Sequence, residues 1–153
     1  LSDFTFITDR IATGAGLDSI DDVQQIADAG ITHIIDCRSE LDDSALIGQW
    51  MQANNHAMYL LWNPTDDDGQ PKPPQWFDKS IRFGLHALTV KRRKVYAHCA
   101  AGINRGPSTC YAILRATGMS AQMAEDLIRQ KRPQVGLAYK PDADRAIDGH
   151  WIK

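Results

Sequence analysis

An α/β fold with a central, mostly parallel sheet flanked by helices is what the 153-residue chain predicts. Amphipathic helical stretches alternate with short β-branched runs three times over. Those runs are apolar at consecutive positions, as in strands covered on both faces. Each pair of runs is separated by a helix long enough for a right-handed crossover, which sets successive strands parallel.

The first helix is read from "SIDDVQQIADAG": Ser19 is its candidate N-cap, Ile20, Val23, Ile26 and Ala27 share one face, and Gly30 ends it. "ITHIID", residues 31–36, follows as a strand. A second round places a helix within Ser44 to Asn54 and a strand at "AMYLLW", residues 57–62. In the third, Phe77, Ile81, Leu85 and Leu88 recur at helical spacing before the strand "KVYAH", residues 94–98. Beyond His98 the pattern is helical: 106–117 closed by Gly118, 120–132 begun by Ser120, and a short helix after Pro141. Only "NPTDDDGQPKPP", residues 63–74, reads as a long loop, and long loops in compact domains tend to be functional.

With 43% hydrophobic and 24% charged residues, the chain fits one globular domain over residues 1–153. A formal charge of −2 supplies no overall drive toward nucleic acid or an anionic membrane. Three cysteines, Cys37, Cys99 and Cys110, are an odd number and too few for a disulfide framework, which predicts free thiols in a reducing compartment. There is no 18-residue apolar segment, and "LSDFTFITDR" lacks the layout of a secretory signal, so a cytoplasmic protein is expected. His33, His56, His86 and His150 lack ligand spacing; neither metal nor cofactor is expected.

The chemistry concentrates in "VYAHCAAGINRGPST", residues 95–109. Ligands of open parallel sheets bind beyond the carboxyl ends of the strands, where Cys99 falls. Pro107 suits the first turn of the helix that follows. If the loop curls at Gly102, the backbone amides of Ala100, Ala101, Gly102, Ile103, Asn104 and Arg105 line an anion-binding cup. The planar guanidinium of Arg105 at its rim matches two oxygens of a tetrahedral oxyanion. That positive field and the helix N-terminus favour a nucleophilic thiolate at Cys99.

"HCAAGINR" resembles the His-Cys-x5-Arg signature of cysteine-dependent protein phosphatases. "GITHIID", "WFDKSIRFGLHAL" and "GMSAQMAEDLIRQKRP" are similar to the small dual-specificity branch, so the likeness covers most of residues 6–133. The resemblance implies that family's fold and a phosphocysteine intermediate, with Cys99 as nucleophile, Arg105 as clamp and His98 supporting the thiolate. A leaving alkoxide or phenolate needs a proton, and the family places its acid about 32 residues before the cysteine; 99 − 67 = 32 points to Asp67. Asp68, at 31, is the close second, and whichever two of Asp66, Asp67 and Asp68 are not so used solvate a turn.

The implied activity is metal-free hydrolysis of phosphotyrosine and phosphoserine/threonine, with a phosphorylated protein or other phosphomonoester as partner. Alternatives are a phosphoinositide or phosphoglucan phosphatase, or a catalytically weak phosphate-binding pseudophosphatase. Sulfurtransferases and arsenate reductases can resemble the cysteine loop too. Low-molecular-weight phosphatases and arsenate reductases place that loop near the N-terminus, whereas here it comes late and follows an Asp-rich loop.

One position departs from the pattern: Gly106 stands where the family usually has Ser or Thr. That hydroxyl helps the thiolate leave, so slower breakdown of the intermediate is expected unless Ser108 or Thr109 substitutes; capping of the helix is an equally good reading of those two. Cys37 ends "ITHIID" at the same sheet edge as Cys99. In some relatives such a cysteine forms a reversible disulfide with the nucleophile, while a small buried core residue is an equally good reading. Cys110, beside Ile113 and Leu114, reads as core. Arg132 resembles an arginine that braces the loop in relatives, although a solvated helix end is the commoner role. "KRRK", residues 91–94, precedes its strand and reads as a solvated turn at the opposite edge. Trp50, Trp62 and Trp76 read as core, with lining of the pocket as the alternative for Trp62.

Overall fold

The structure is a computed structural model and describes residues 2–149. His150, one of the scattered histidines, lies outside that range. Along the chain come β1 (Phe4–Phe6), β2 (Ile11–Gly14), α1 (Ile20–Asp28), β3 (His33–Arg38), α2 (Ser44–Asn54), β4 (Tyr59–Thr65), α3 (Pro74–Leu88), β5 (Val95–His98), α4 (Arg105–Ala116), α5 (Ala121–Lys131) and α6 (Lys140–Asp148). The strands form one sheet in the order β1-β2-β5-β3-β4. Only β1, at the edge, is antiparallel to its neighbour.

The expected strands and helices are all present, and the sheet is mostly parallel. Ser19 caps α1 by accepting from the Asp22 amide at 3.2 Å, and Ser120 caps α5 by accepting from the Met123 amide at 3.2 Å. β1 and β2 are absent from the sequence reading. With three and four residues they are too short to show a period, and β2 is defined by its ladder to β5, Ile11↔Val95 through Gly14↔His98.

Consecutive apolar residues serve two layers. Ile11, Ile35, Val95 and Ala97 face the core built with Phe77 and Ile81 of α3, Tyr111 to Leu114 of α4, Ile128 of α5 and Ala143 of α6. Ala12, Ile34 and Tyr96 face the other way, onto Val23 and Ile26 of α1 and Ile47 and Trp50 of α2. Fully burying each large apolar side chain contributes about 1.5–3 kcal/mol. The chain therefore holds its central strand on both faces and on both edges. Cys99, which follows β5, emerges at the middle of the carboxyl edge.

Two corrections concern β4 and its surroundings. The strand runs on to Thr65, so the Asp-rich loop begins at Asp66 rather than at 63. Asn63 makes that extension possible: buried, it donates to the Trp76 carbonyl at 2.7 Å and Ser80 Oγ at 2.9 Å, while Trp76 Nε1 donates back to its carbonyl at 2.9 Å. Trp62 is not core, being 43% exposed, with Nε1 donating to the Arg38 carbonyl at 2.7 Å. Trp50 and Trp76 are buried, as is Cys110. No helix among the described residues is long and apolar enough to cross a membrane.

Candidate active site

The loop from Cys99 to Arg105 has its carbonyls turned outward. Ala100 O accepts from the Gly16 amide at 3.1 Å, Ile103 O from the amides of Gly136 (2.8 Å) and Leu137 (3.2 Å), and Asn104 O from the Ser108 amide at 2.9 Å. Two more carbonyls belong to Arg132, whose Nε reaches Gly102 O at 2.9 Å and Nη2 reaches Ala101 O at 3.2 Å. The amides of residues 100–105 donate to no protein acceptor among the described residues. Carbonyls committed outside and amides left inside make a ring of donors, the geometry of an anion site.

Gly102 closes the ring in the left-handed region, at φ +69. A Cβ there would lie 2.4 Å from the carbonyl carbon of Gly14, so only glycine lets the loop press against the end of β2. Arg132 is the brace. It is 1% exposed, which corrects the solvated reading. Its remaining donors go to Asp3 Oδ1 (2.9 Å), Asp3 Oδ2 (2.9 Å) and Thr5 Oγ1 (3.0 Å), so every N–H of the buried guanidinium is satisfied. Hydrogen bonding to Arg132 holds the Asp3 carboxyl below its usual range.

Arg105 lies at the start of α4 and is 4% exposed. Glu40 takes one donor from each terminal nitrogen, Nη1 to Oε1 at 2.7 Å and Nη2 to Oε2 at 3.0 Å, and Thr65 O takes a second from Nη1 at 3.0 Å. Nε is buried and has no protein partner among the described residues. A guanidinium has five N–H donors in one plane. The two left over, on Nε and Nη2, form its other fork, suited to two oxygens of a phosphoryl group. Pairing with Arg105 pulls the Glu40 carboxyl down to about 2, so the pair stays ionised at any ordinary assay pH.

His98, fully buried, places Nε2 2.5 Å from Asp43 Oδ2 and Nδ1 3.3 Å from the Cys99 carbonyl. Both ring nitrogens face acceptors, which fixes the orientation of the ring. Arg38 completes the cluster, bonding Asp36 Oδ1 at 3.1 Å and Asp43 Oδ1 at 2.7 Å. Two buried carboxylates thus meet one guanidinium and one imidazole ring. Burial pushes the Asp36 carboxyl up, against the pull of His98 and Arg38. Ligand atoms of Asp36, Asp43 and His98 lie within 4.8 Å of one another, but Arg38 already supplies the positive charge between the carboxylates.

The three loop aspartates separate. Asp66 Oδ1 accepts from Ser39 Oγ at 2.5 Å. Asp68 holds a turn, accepting from Lys72 Nζ at 2.9 Å and the Gln70 amide at 3.0 Å. Asp67 alone reaches the cup: its Oδ2 lies 3.5 Å from Asn104 Nδ2, and its Oδ1 accepts from the Tyr139 hydroxyl at 2.7 Å.

Cys99 is 3% exposed at the base, with Ala100, Ala101 and Ile103 exposed around it. Gly106 has a packing reason: a Cβ would fall 2.9 Å from the backbone of His98. Neither nearby hydroxyl hydrogen-bonds Cys99 Sγ, and neither caps α4. Ser108 Oγ accepts from the Tyr139 amide at 3.3 Å, and Thr109 Oγ1 lies 3.4 Å from Cys37 Sγ. Cys37 continues β3 one step beyond the Asp36↔His98 pair, on the face that carries Ile35, Ala97 and Cys99. It is a free thiol whose proton is held tightly by burial. "KRRK" lies at the far edge as expected, with Lys91 and Arg92 exposed and Arg93 5.1 Å from the Tyr59 ring.

Arg38, Glu40, Asp43 and Tyr139 escaped the sequence reading. The available signal was "CRSELDD", a cluster of charges directly after an apolar strand at the carboxyl edge. Tyr139 had none.

Residues 17–140 match the family model described as "Dual specificity phosphatase, catalytic domain". Among curated proteins, human dual specificity protein phosphatase 5 is 33% identical over 79 residues, 51% of this chain and 20% of that protein. The chain thus spans about a fifth of the length of that relative. Among solved structures, PTPMT1 superposes with a TM-score of 0.77 at 19% identity, covering 95% of this chain and 94% of that one. PTPMT1 in complex with PI(5)P superposes at 0.73 with 17% identity, covering 95% and 97%.

Proposed function

Because the chain belongs to the dual-specificity phosphatase catalytic domain family, we propose that it hydrolyses protein phosphomonoesters through a phosphocysteine at Cys99. The observation that carries this reading is the ring of inward amides completed by the free fork of Arg105. In the first step the thiolate attacks phosphorus, the S–P bond forms as the P–O bond breaks, and Asp67 gives its proton to the leaving oxygen. In the second, water attacks phosphorus, its proton goes to the Asp67 carboxylate, and the sulfur leaves as thiolate. The Arg105 fork and the amides hold the equatorial oxygens throughout. The three free thiols fit a reducing compartment such as the cytoplasm.

The second step lacks a hydroxyl donor at position 106, and neither Ser108 nor Thr109 bonds Cys99 in its place. Rapid mixing with an aryl phosphate is expected to give a burst of phenol close to one equivalent of enzyme, then slower turnover, with acid quench trapping phosphoenzyme. A burst without trapped phosphoenzyme contradicts it.

Charge distribution favours a phosphoprotein over a phosphoinositide. The carboxyl edge around the cup exposes Asp18, Asp21, Glu40, Asp42, Asp66, Asp67 and Asp68, whereas Lys91, Arg92, Arg93 and Lys94 lie at the opposite edge. Exposed Leu41 and Ile103 add apolar surface on the segments that frame the cup. An acidic mouth repels every phosphate beyond the one being cleaved and attracts lysine or arginine beside it. The complex of PTPMT1 with PI(5)P shows a related fold holding such a lipid, so both classes belong in the test. Phosphopeptides with basic flanks are expected to exceed acid-flanked ones by about tenfold in kcat/KM at low salt, and the gap to shrink as salt rises. Cys99→Ser serves as the blank. Faster turnover of a phosphoinositide than of any phosphopeptide would overturn the preference while leaving phosphatase activity intact.

A further inference from the structure

We propose that Tyr139 is a positioning residue for proton transfer, its hydroxyl fixing one oxygen of the acid so that the other faces the leaving group; this rests on the reading of Asp67 as that acid. Tyr139 is 1% exposed, and its backbone amide donates to Ser108 Oγ at 3.3 Å, which ties it to the helix that begins with Arg105. Its hydroxyl accepts from the Gly69 amide at 3.0 Å and lies 2.7 Å from Asp67 Oδ1. A phenol has one hydrogen. With Gly69 using the acceptor side, that hydrogen goes to Asp67.

The loop is wrapped around this one ring. Lys72 Nζ sits 4.7 Å from the ring centroid and bonds the Asp66 carbonyl at 2.6 Å and Asp68 Oδ1 at 2.9 Å. Asp66, Asp68 and Gly69 thus anchor both sides of Asp67, and its Oδ2 is left facing Asn104 on the cup. Burial above all pushes the Tyr139 phenol up to about 12, so it stays a donor throughout the working range.

The two oxygens then have different tasks. Oδ2 carries the proton and transfers it as the P–O bond breaks; Oδ1 takes up the developing negative charge. A hydrogen bond to an ionised acceptor is roughly twice as strong as one to a neutral acceptor. The Tyr139 bond therefore strengthens as the transition state forms, which is how an interaction accelerates a step rather than merely ordering a loop.

The test is Tyr139→Phe, which keeps the ring, the Lys72 contact and the backbone bond to Ser108. Turnover of aryl phosphates with leaving phenols of increasing basicity is compared with the parent enzyme. The variant is expected to lose about tenfold in kcat/KM with phenyl phosphate and less than about twofold with dinitrophenyl phosphate, which needs little protonation. Added to Asp67→Asn, the same change is expected to cost nothing further. An equal loss across the series, no loss at all, or a further loss in the Asp67→Asn background would overturn the positioning role. An Asp67→Asn variant that is indifferent to the leaving group would overturn the acid assignment, and the role of Tyr139 with it.

Discussion

Arg105→Lys will lower kcat/KM for an aryl phosphate on the order of a hundred- to a thousandfold, the cost of removing a donor aimed at developing charge. Lysine restores a positive charge but not a planar fork, so it cannot present paired donors to two phosphoryl oxygens while also bonding Glu40 and the Thr65 carbonyl. The loss is expected mainly in kcat, because a point charge still attracts the ground-state dianion whereas the bidentate contact matters most in the trigonal transition state. Steady-state kinetics alongside binding of an inert oxyanion separates the two. Without the paired bonds to Arg105, the Glu40 carboxyl is also expected to rise from about 2 toward the ordinary carboxylate range. A drop below tenfold with intact folding would mean that the amide ring alone carries the stabilisation.

Asp67→Asn is expected to cost roughly 10²–10³ in kcat/KM on phosphoserine peptides, within the range for a positioned general acid. Asparagine keeps the shape and accepts from Tyr139, but has no proton to give. The parallel changes Asp66→Asn and Asp68→Asn are expected to stay within about threefold, because one carboxylate answers Ser39 and the other Lys72 and Gln70, away from the cup. Measuring all three on the same peptide decides the matter. A loss at Asp68 equal to that at Asp67 would move the assignment.

The neighbourhood of Cys99 was legible because its logic is local. A strand, a tight loop with glycine and a helix start lie within fifteen residues, and six positions separate the cysteine from its guanidinium. The flanking strands were legible for a similar reason, since burial on both faces leaves an unbroken apolar run such as "ITHIID". β1 and β2 were not: short and mixed in composition, they acquire strand character from the partners they pair with.

Roles that depend on a partner far along the chain were harder to read. Arg132 looks like a solvated helix end until its guanidinium is seen against Asp3 and the carbonyls of Ala101 and Gly102. Gly106 reads as a missing hydroxyl, yet it lies where any side chain would press on His98. Of Asp66, Asp67 and Asp68, chain spacing alone could only rank candidates. The Tyr139 hydroxyl, 72 positions away from Asp67, distinguishes them in space.

By itself the sequence determined the layered α/β class and singled out Cys99 and Arg105 as candidate nucleophile and candidate clamp. Periodicity and short-range spacing are properties of neighbouring residues, which stay neighbours in any fold. Only the tertiary structure decided which carboxylate faces the cup, that Glu40 holds Arg105, and that Arg132 is buried. Hydrogen-bond direction and desolvation arise between segments that become adjacent only once the sheet has formed, and no local pattern encodes them.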